Sequence, residues 1–274
     1  MKIITDSCSD LTKAYLSQHE VTVLPMTISF GNESFRDGID IDYDGFYSRL
    51  EKELPKTSQV GPFDFKEAYE KANDDVLCIT VSGKLSGTYQ SACIAAEDFD
   101  NVCVIDSTQI CIAEGILVEY AVSLMEQGLE FDTVCQKTKD KKADLRIIAS
   151  VDTLEYLQKG GRLSKTAAAA GTLLSIKPVI TCEEGEIKIL GKARGYNKAN
   201  NMLKEYVENN GIDFSMPFEL AYSGNDRALL DQYINYSTDL YSGYNKELPI
   251  ARIGSTIGTH AGPGAVGLAF FTKS

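Results

Sequence analysis

Val81-Ser82-Gly83-Lys84-Leu85-Ser86-Gly87-Thr88-Tyr89-Gln90-Ser91-Ala92 follows an apolar, β-rich run over residues 76–81 and leads into a helix-like segment over residues 88–99. A strand, a turn of small hydroxyl and glycine residues, and a helix N-terminus in that order make a β-turn-α unit. Such a junction offers free backbone N–H groups and the positive end of a helix dipole, so it can receive an anionic group without a cationic side chain. Ser86 and Thr88 add hydroxyls there. Taken alone, the cluster reads as a helix cap.

Outward from this unit the first half keeps alternating. Strands are expected over residues 2–5, 21–30, 102–106 and 145–150, and helices over 10–19, 42–54, 62–72, 113–127 and 131–142, with a small hairpin over 31–41. Pro25 makes the 21–30 strand edge-like. Repeated β-turn-α units imply a mostly parallel sheet covered on both faces. The second half changes character. A short helix over 152–158 breaks at Gly160-Gly161-Arg162, an alanine-rich helix spans 164–175, and a hairpin turns at Glu183-Glu184-Gly185-Glu186. A helix over 197–209 stopped by Gly211, strands over 218–223, 248–253 and 266–272, and a helix over 226–236 complete it. The expected fold class is α/β in two domains. Residues 1–157 form an N-terminal domain with a mostly parallel sheet flanked by helices, and residues 158–274 a C-terminal α/β domain of mixed sheet.

Composition bounds the function. A chain of 274 residues, 43% apolar and 24% charged, has the makings of an ordinary globular core. A net charge of -12 argues against nucleic acid and leaves at most transient contact with an anionic membrane surface. Seven scattered cysteines show no metal-ligand spacing and suit a reducing cytoplasm. The opening Met-Lys-Ile-Ile-Thr-Asp reads as a strand, not a signal peptide, and no run is long enough to span a membrane. No metal and no cofactor is expected.

Two further stretches share the hydroxyl-rich character of the opening one. Thr57-Ser58-Gln59 lies in a loop between Pro55 and Pro62, and Thr259-His260-Ala261-Gly262-Pro263-Gly264 reads as a glycine-rich turn interrupting a β-like segment. Nucleotide motifs fail on spacing. Gly83 to Thr88 lacks the P-loop ending, and Gly262-Pro263-Gly264-Ala265-Val266-Gly267 has too little chain after it for a dinucleotide unit. A serine hydrolase acting on acyl esters is an alternative, with Ser86 and His260 in hydrolase order and Asp6 or Asp106 as third member, although Lys84-Leu85-Ser86 misses the GxSxG elbow. A phosphate-binding module using the helix N-terminus is a third reading.

With Thr5-Asp6-Ser7, Leu85 through Ala92, Ile105-Asp106-Ser107, the stretch Lys159-Gly160-Gly161-Arg162-Leu163-Ser164-Lys165, residues 173–180, Ala193-Arg194 and the closing residues 260–268, these stretches resemble the DegV family of bacterial fatty-acid-binding proteins. The resemblance spans essentially the whole chain. It implies a bound long-chain fatty acid whose carboxylate is held by Thr57 and Ser86, with His260 near the same head group. Ser58, Gly87 and Thr88 are additional head-group or loop candidates. It also implies a partner, a fatty acid kinase that makes an acyl phosphate for phospholipid synthesis. Arg194, and less directly Arg162, stand where a contact with that kinase or the acyl phosphate is expected, an ordinary surface arginine being the competing reading. Two departures stand out: Val60-Gly61 precede Pro62 where the family has proline directly after TSQ, and Val81 replaces a second serine.

Overall fold

The computed structural model describes residues 1–163 and 175–273. The chain runs β1 (Lys2–Asp6), α1 (Lys13–Leu16), β2 (Val21–Leu24), β3 (Thr27–Phe30), β4 (Glu33–Arg36), α2 (Tyr43–Leu50), β5 (Lys56–Ser58), α3 (Pro62–Ala72), β6 (Val76–Thr80), α4 (Thr88–Ala96), β7 (Val102–Asp106), α5 (Cys111–Glu126), α6 (Phe131–Lys141) and β8 (Leu145–Ser150). It continues with α7 (Glu155–Lys159), β9 (Ile176–Glu183), β10 (Glu186–Arg194), α8 (Tyr196–Asn210), β11 (Phe218–Tyr222), α9 (Ala228–Tyr236), β12 (Ile250–Arg252), α10 (Ser255–Ala261) and β13 (Val266–Phe271).

A parallel sheet has the order β2-β1-β6-β7 and a mixed sheet the order β10-β9-β8-β13-β11-β12. The α/β class with one parallel and one mixed sheet is as expected. β6 is central and buried at all five positions, which is why it reads as an unbroken apolar run. β1 connects to β2 on one side, while β6 connects to β7 on the other. The loops leaving β1 and β6 therefore diverge and open a crevice at the carboxyl ends of these strands, where open α/β sheets bind ligands. Asp6 seals its floor, accepting the Cys8 N–H on one oxygen and the Val81 N–H on the other, each at 2.9 Å.

α5 lies between the two sheets. Eleven of its sixteen residues are buried, and it is apolar on nearly every face, as a helix enclosed on all sides must be. One core cluster runs from Ile3, Leu77 and Ile79 of the parallel sheet through Ile112, Ile116 and Leu117 to Ile147, Ala269 and Phe271 of the mixed sheet. An acidic side chain of this helix, the fully buried Glu114, takes the Thr5 hydroxyl at 2.9 Å, and burial pushes its carboxyl well up.

Several elements differ from the sequence reading. The single strand over 21–30 is split at Pro25 into β2 and β3, which join different sheets, β3 pairing antiparallel with β4 and β5. The hairpin seen in 31–41 thus begins earlier, and Thr57-Ser58 is an edge strand, not a loop. The helix over 10–19 shrinks to α1 because Asp10 adopts a left-handed conformation (φ 49°) and Thr12 caps the helix instead. β8, read as continuing the first-half pattern, pairs antiparallel with β13 and β9 in the mixed sheet. The stretch 259–264 is not a turn through a strand: residues up to Ala261 belong to α10, and only Gly262 and Gly264 take positive φ. Apart from Ser175, the alanine-rich helix read over 164–175 lies outside the described residues.

Candidate functional site

A narrow cavity of about 90 Å³ sits in the crevice. Its wall is mostly apolar: Met26, Val81, Leu85, Ile110, Leu157, Ile180, Ile187 and Ile257. These come from the carboxyl ends of the parallel sheet, the β9–β10 hairpin of the mixed sheet, α7 and α10. The polar side chains in the wall are Thr57, Ser58, Gln59, Ser86, Arg162, Thr256 and His260, with Thr57 and His260 in direct contact.

The opening stretch folds locally. The carbonyl of Ser82 accepts the N–H groups of Leu85 and Ser86, which reverses the chain before α4. The Ser86 hydroxyl lies 2.9 Å from that of Thr88 and accepts the Thr88 N–H at 3.3 Å, so it takes the first N–H of α4 while also lining the cavity. Ser82 itself is buried and donates to the Gly185 carbonyl at 2.8 Å, tying this loop to the β9–β10 turn. Gln59 reaches across from the end of β5, donating to Ser91 Oγ at 2.7 Å and to the Gly87 carbonyl at 3.3 Å.

His260 Nε2 lies 3.0 Å from Thr57 Oγ1, joining α10 to β5 across 203 residues of sequence. Burial, with the nearby Arg162 guanidinium adding to it, lowers its pKa to about 4, so the ring is neutral at pH 7. Its Nδ1 is buried without a hydrogen-bond partner. A Cβ at Gly160 would lie 2.2 Å from that nitrogen, so only glycine lets α7's end approach the ring. Arg162 is fixed by donating to the carbonyls of Leu85 (3.2 Å) and Gly160 (2.6 Å), which sets a positive charge beside the histidine.

Of the residues singled out from sequence, Thr57, Ser58, Ser86, His260 and Arg162 line one cavity. Gly87 and Thr88 do not line it: Thr88 is buried behind Ser86, and Gly87 caps α4 beneath Gln59. Arg194 ends β10 as an exposed residue, paired in register with Ile176 and apart from the cavity wall. A hydrolase triad is not assembled. Ser86 bonds to Thr88, His260 to Thr57, Asp6 to the backbone of Cys8 and Val81, and Asp106 to the N–H groups of Gly83 and Thr108. Gln59, within Thr57-Ser58-Gln59, and the apolar wall are functional positions with no local signal of their own, since nothing in sequence marks residues brought together from so many elements as one sleeve.

No helix among the described residues is long and apolar enough to cross a membrane, and among them no group of three or more His, Cys, Asp or Glu side chains could hold a metal ion. A family model described as "Uncharacterised protein, DegV family" matches residues 1–273. A DegV domain-containing protein of Caldanaerobacter subterraneus subsp. tengcongensis is 36% identical over 282 residues, covering 99% of this chain and 98% of its own. A solved structure described as fatty acid binding of a DegV family protein from Thermus thermophilus superposes with a TM-score of 0.88 at 31% identity, over 99% of both chains. A stearic acid-binding protein from Eubacterium ventriosum gives a TM-score of 0.83 at 32% identity, over 99% of this chain and 98% of its own. A match that leaves out only the last residue, with relatives this similar along their full length, means that the chain belongs to the DegV family.

Proposed function

We propose that this protein is a non-catalytic carrier that binds a long-chain fatty acid and presents it to a fatty acid kinase for acyl-phosphate formation. The observation that carries this reading is a mostly apolar cavity whose wall also holds Thr57, Ser86 and a neutral His260. Hydroxyls and a neutral imidazole can donate hydrogen bonds to a carboxylate without burying a full opposing charge. Arg162, held in the same wall by two backbone carbonyls and near His260, adds a favourable field. Most affinity comes from the sleeve: at roughly 0.8 kcal/mol per CH₂, about fifteen methylenes contribute on the order of 12 kcal/mol before ordering costs. The head group mainly fixes position. Solved relatives described as binding fatty acids support this assignment. The free cysteines among the described residues fit a reducing, cytoplasmic setting.

Native mass spectrometry after gentle purification tests the reading, with a co-purifying C14 to C18 fatty acid as the expected result. A protein that carries no lipid and takes none up in vitro overturns it. On the same preparation Ser86→Ala should keep the fold and weaken fatty-acid binding about fivefold, the loss of a hydrogen bond worth about 1 kcal/mol. Burst kinetics on an activated acyl ester, abolished by Ser86→Ala with lipid affinity unchanged, would instead establish the hydrolase.

A further inference from the structure

α10 carries Thr256, Ile257, His260 and Ala261 into the cavity wall, yet it has only seven residues. A helix that short does not hold itself in water, and Gly254 at its N-cap has no side chain to satisfy the first turn. Two carboxylates from the far end of the chain do this instead. Asp10 Oδ1 accepts the Gly254 N–H at 2.8 Å, and the two oxygens of Asp37 accept the N–H groups of Ser255 and Thr256, each at 3.1 Å. Both carboxylates are buried. A Cβ on Gly254 would lie 2.7 Å from Asp10 Oδ1, so the absence of a side chain is what lets the carboxylate come this close. Asp37 is fixed in turn by Ser7, whose hydroxyl donates to Asp37 Oδ2 at 3.1 Å and accepts the Met26 N–H at 3.0 Å. Met26 is itself part of the cavity wall.

We infer that Asp37, seconded by Asp10 and oriented by Ser7, is a positioning residue for the head-group end of the cavity: it fixes the rotation and depth of α10, and so the place of the His260 ring against Thr57. The inference rests on the fatty-acid reading only for its effect on affinity; the ring's position is testable without any ligand. The geometry is specific. Two parallel acceptors meeting two successive N–H groups define both where the helix begins and how it is turned about its axis, and His260 follows one turn later. A cap that served stability alone would need to satisfy the N–H groups, but the ring's surroundings would not depend on it.

The test is NMR titration of the two histidines, His19 and His260, in ligand-free protein, beside fatty-acid titration and thermal unfolding, for wild type, Asp37→Asn and Ser7→Ala. Asp37→Asn turns one acceptor into an NH₂ group that opposes an N–H. It should raise the His260 midpoint from about 4 toward the ordinary value by a unit or more as the ring gains water, and weaken lipid binding by about tenfold. Ser7→Ala, which keeps both acceptors and loses only their orienting hydroxyl, should move both readouts the same way by less, and it serves alone if Asp37→Asn does not fold. Tyr241→Phe, which removes a hydroxyl bond to Tyr233 in the core of the mixed sheet, is the destabilised control and should leave the His260 midpoint where it is. A His260 midpoint that stays near 4 in whichever of the two variants fold, with only thermal stability reduced, overturns the proposal. If wild type binds no fatty acid, the carrier reading falls while the His260 midpoint still decides this one.

Discussion

Two helix beginnings meet at the cavity and are built in opposite ways. α4 starts from its own neighbourhood: Ser82 turns the chain, and the Ser86 hydroxyl takes the Thr88 N–H two residues on. α10 starts from the rest of the molecule. Asp10 and Asp37 hold its N–H groups, the Tyr47 hydroxyl donates to the Ile253 carbonyl just ahead of it at 2.9 Å, and Ser223 Oγ donates to the Gly262 carbonyl just after it at 2.6 Å. The lesson is one of robustness. The start of α4 should tolerate local change, whereas α10 should transmit disturbance from several distant residues to His260.

The sharpest expected break is in pH. His260 has its pKa lowered to about 4 from an ordinary 6.5, so the unfolded chain binds a proton at a pH where the folded one does not. Its contribution to stability is therefore fully present above about pH 6.5 and is lost as pH falls toward 4, by up to about 3 kcal/mol. Buried carboxylates act with the opposite sign. Burial raises Asp10 to about 8 and Glu119 to about 7, so their contribution is full at acid pH and is lost as pH rises through those values. Urea denaturation of wild type and His260→Gln across pH 4 to 8 separates the two. The curves should converge toward pH 4 and part by pH 6.5, while the alkaline loss is common to both. Parallel curves across the acid range would mean that the ring is not held neutral by its surroundings.

A pair of identical substitutions probes the two helices next. At Gly258, in α10, an added Cβ would meet Tyr47 Oη at 2.7 Å and Phe46 Cε1 at 2.9 Å, and both rings are buried at 1% exposure or less. At Gly87, which caps α4, it would meet only the Gln59 amide, the far end of a flexible side chain. Gly258→Ala should cost about 2 kcal/mol, overpacking outweighing the gain in helix propensity, and should also weaken fatty-acid binding. Gly87→Ala should cost about 1 kcal/mol, because the flexible Gln59 side chain can swing aside at the loss of its bonds to Ser91 and the Gly87 carbonyl. Urea midpoints give both numbers. Equal costs at the two sites would erase the distinction drawn between them.

That distinction also explains what could be read from sequence. The bounds of α3 and of strands β7 and β8 follow from local signals: Pro62 opening a helix, and apolar β-branched runs ending in acids or serine. The α4 junction and the hydroxyls of Thr57 and Ser86 were legible for the same reason, since caps and edge polar residues leave a local pattern. α10 was not. Ser255-Thr256-Ile257-Gly258-Thr259-His260 carries two β-branched threonines, an isoleucine and a glycine, all poor in helix propensity, and its carboxylate caps stand more than two hundred residues away. The splitting of 21–30 at Pro25 and the pairing of β8 with β13 are tertiary choices of the same kind. The apolar sleeve escaped because each of its side chains looks like ordinary core until two sheets and two short helices are brought together.

The smallest effect on lipid binding is expected at Arg194, which neither helix touches. It is exposed at the end of β10, away from the cavity wall, whereas Arg162 lies within the wall and is bonded to it. If Arg194 meets the kinase or the acyl phosphate, Arg194→Ala should leave fatty-acid affinity unchanged and lower the rate of acyl-phosphate formation with the partner enzyme. The reason is electrostatic: a rim charge acts mainly on encounter, and losing one partner of a charge-assisted hydrogen bond costs more than losing a neutral contact. The loss should shrink as salt rises, because exposed charges are screened beyond about 8 Å at physiological ionic strength. Calorimetric titration with a fatty acid beside a kinase-coupled assay, at subsaturating carrier and two salt concentrations, reads both. Weakened lipid binding with unchanged kinase kinetics would sink the handover role and would make Arg194, despite its distance, part of what holds the ligand.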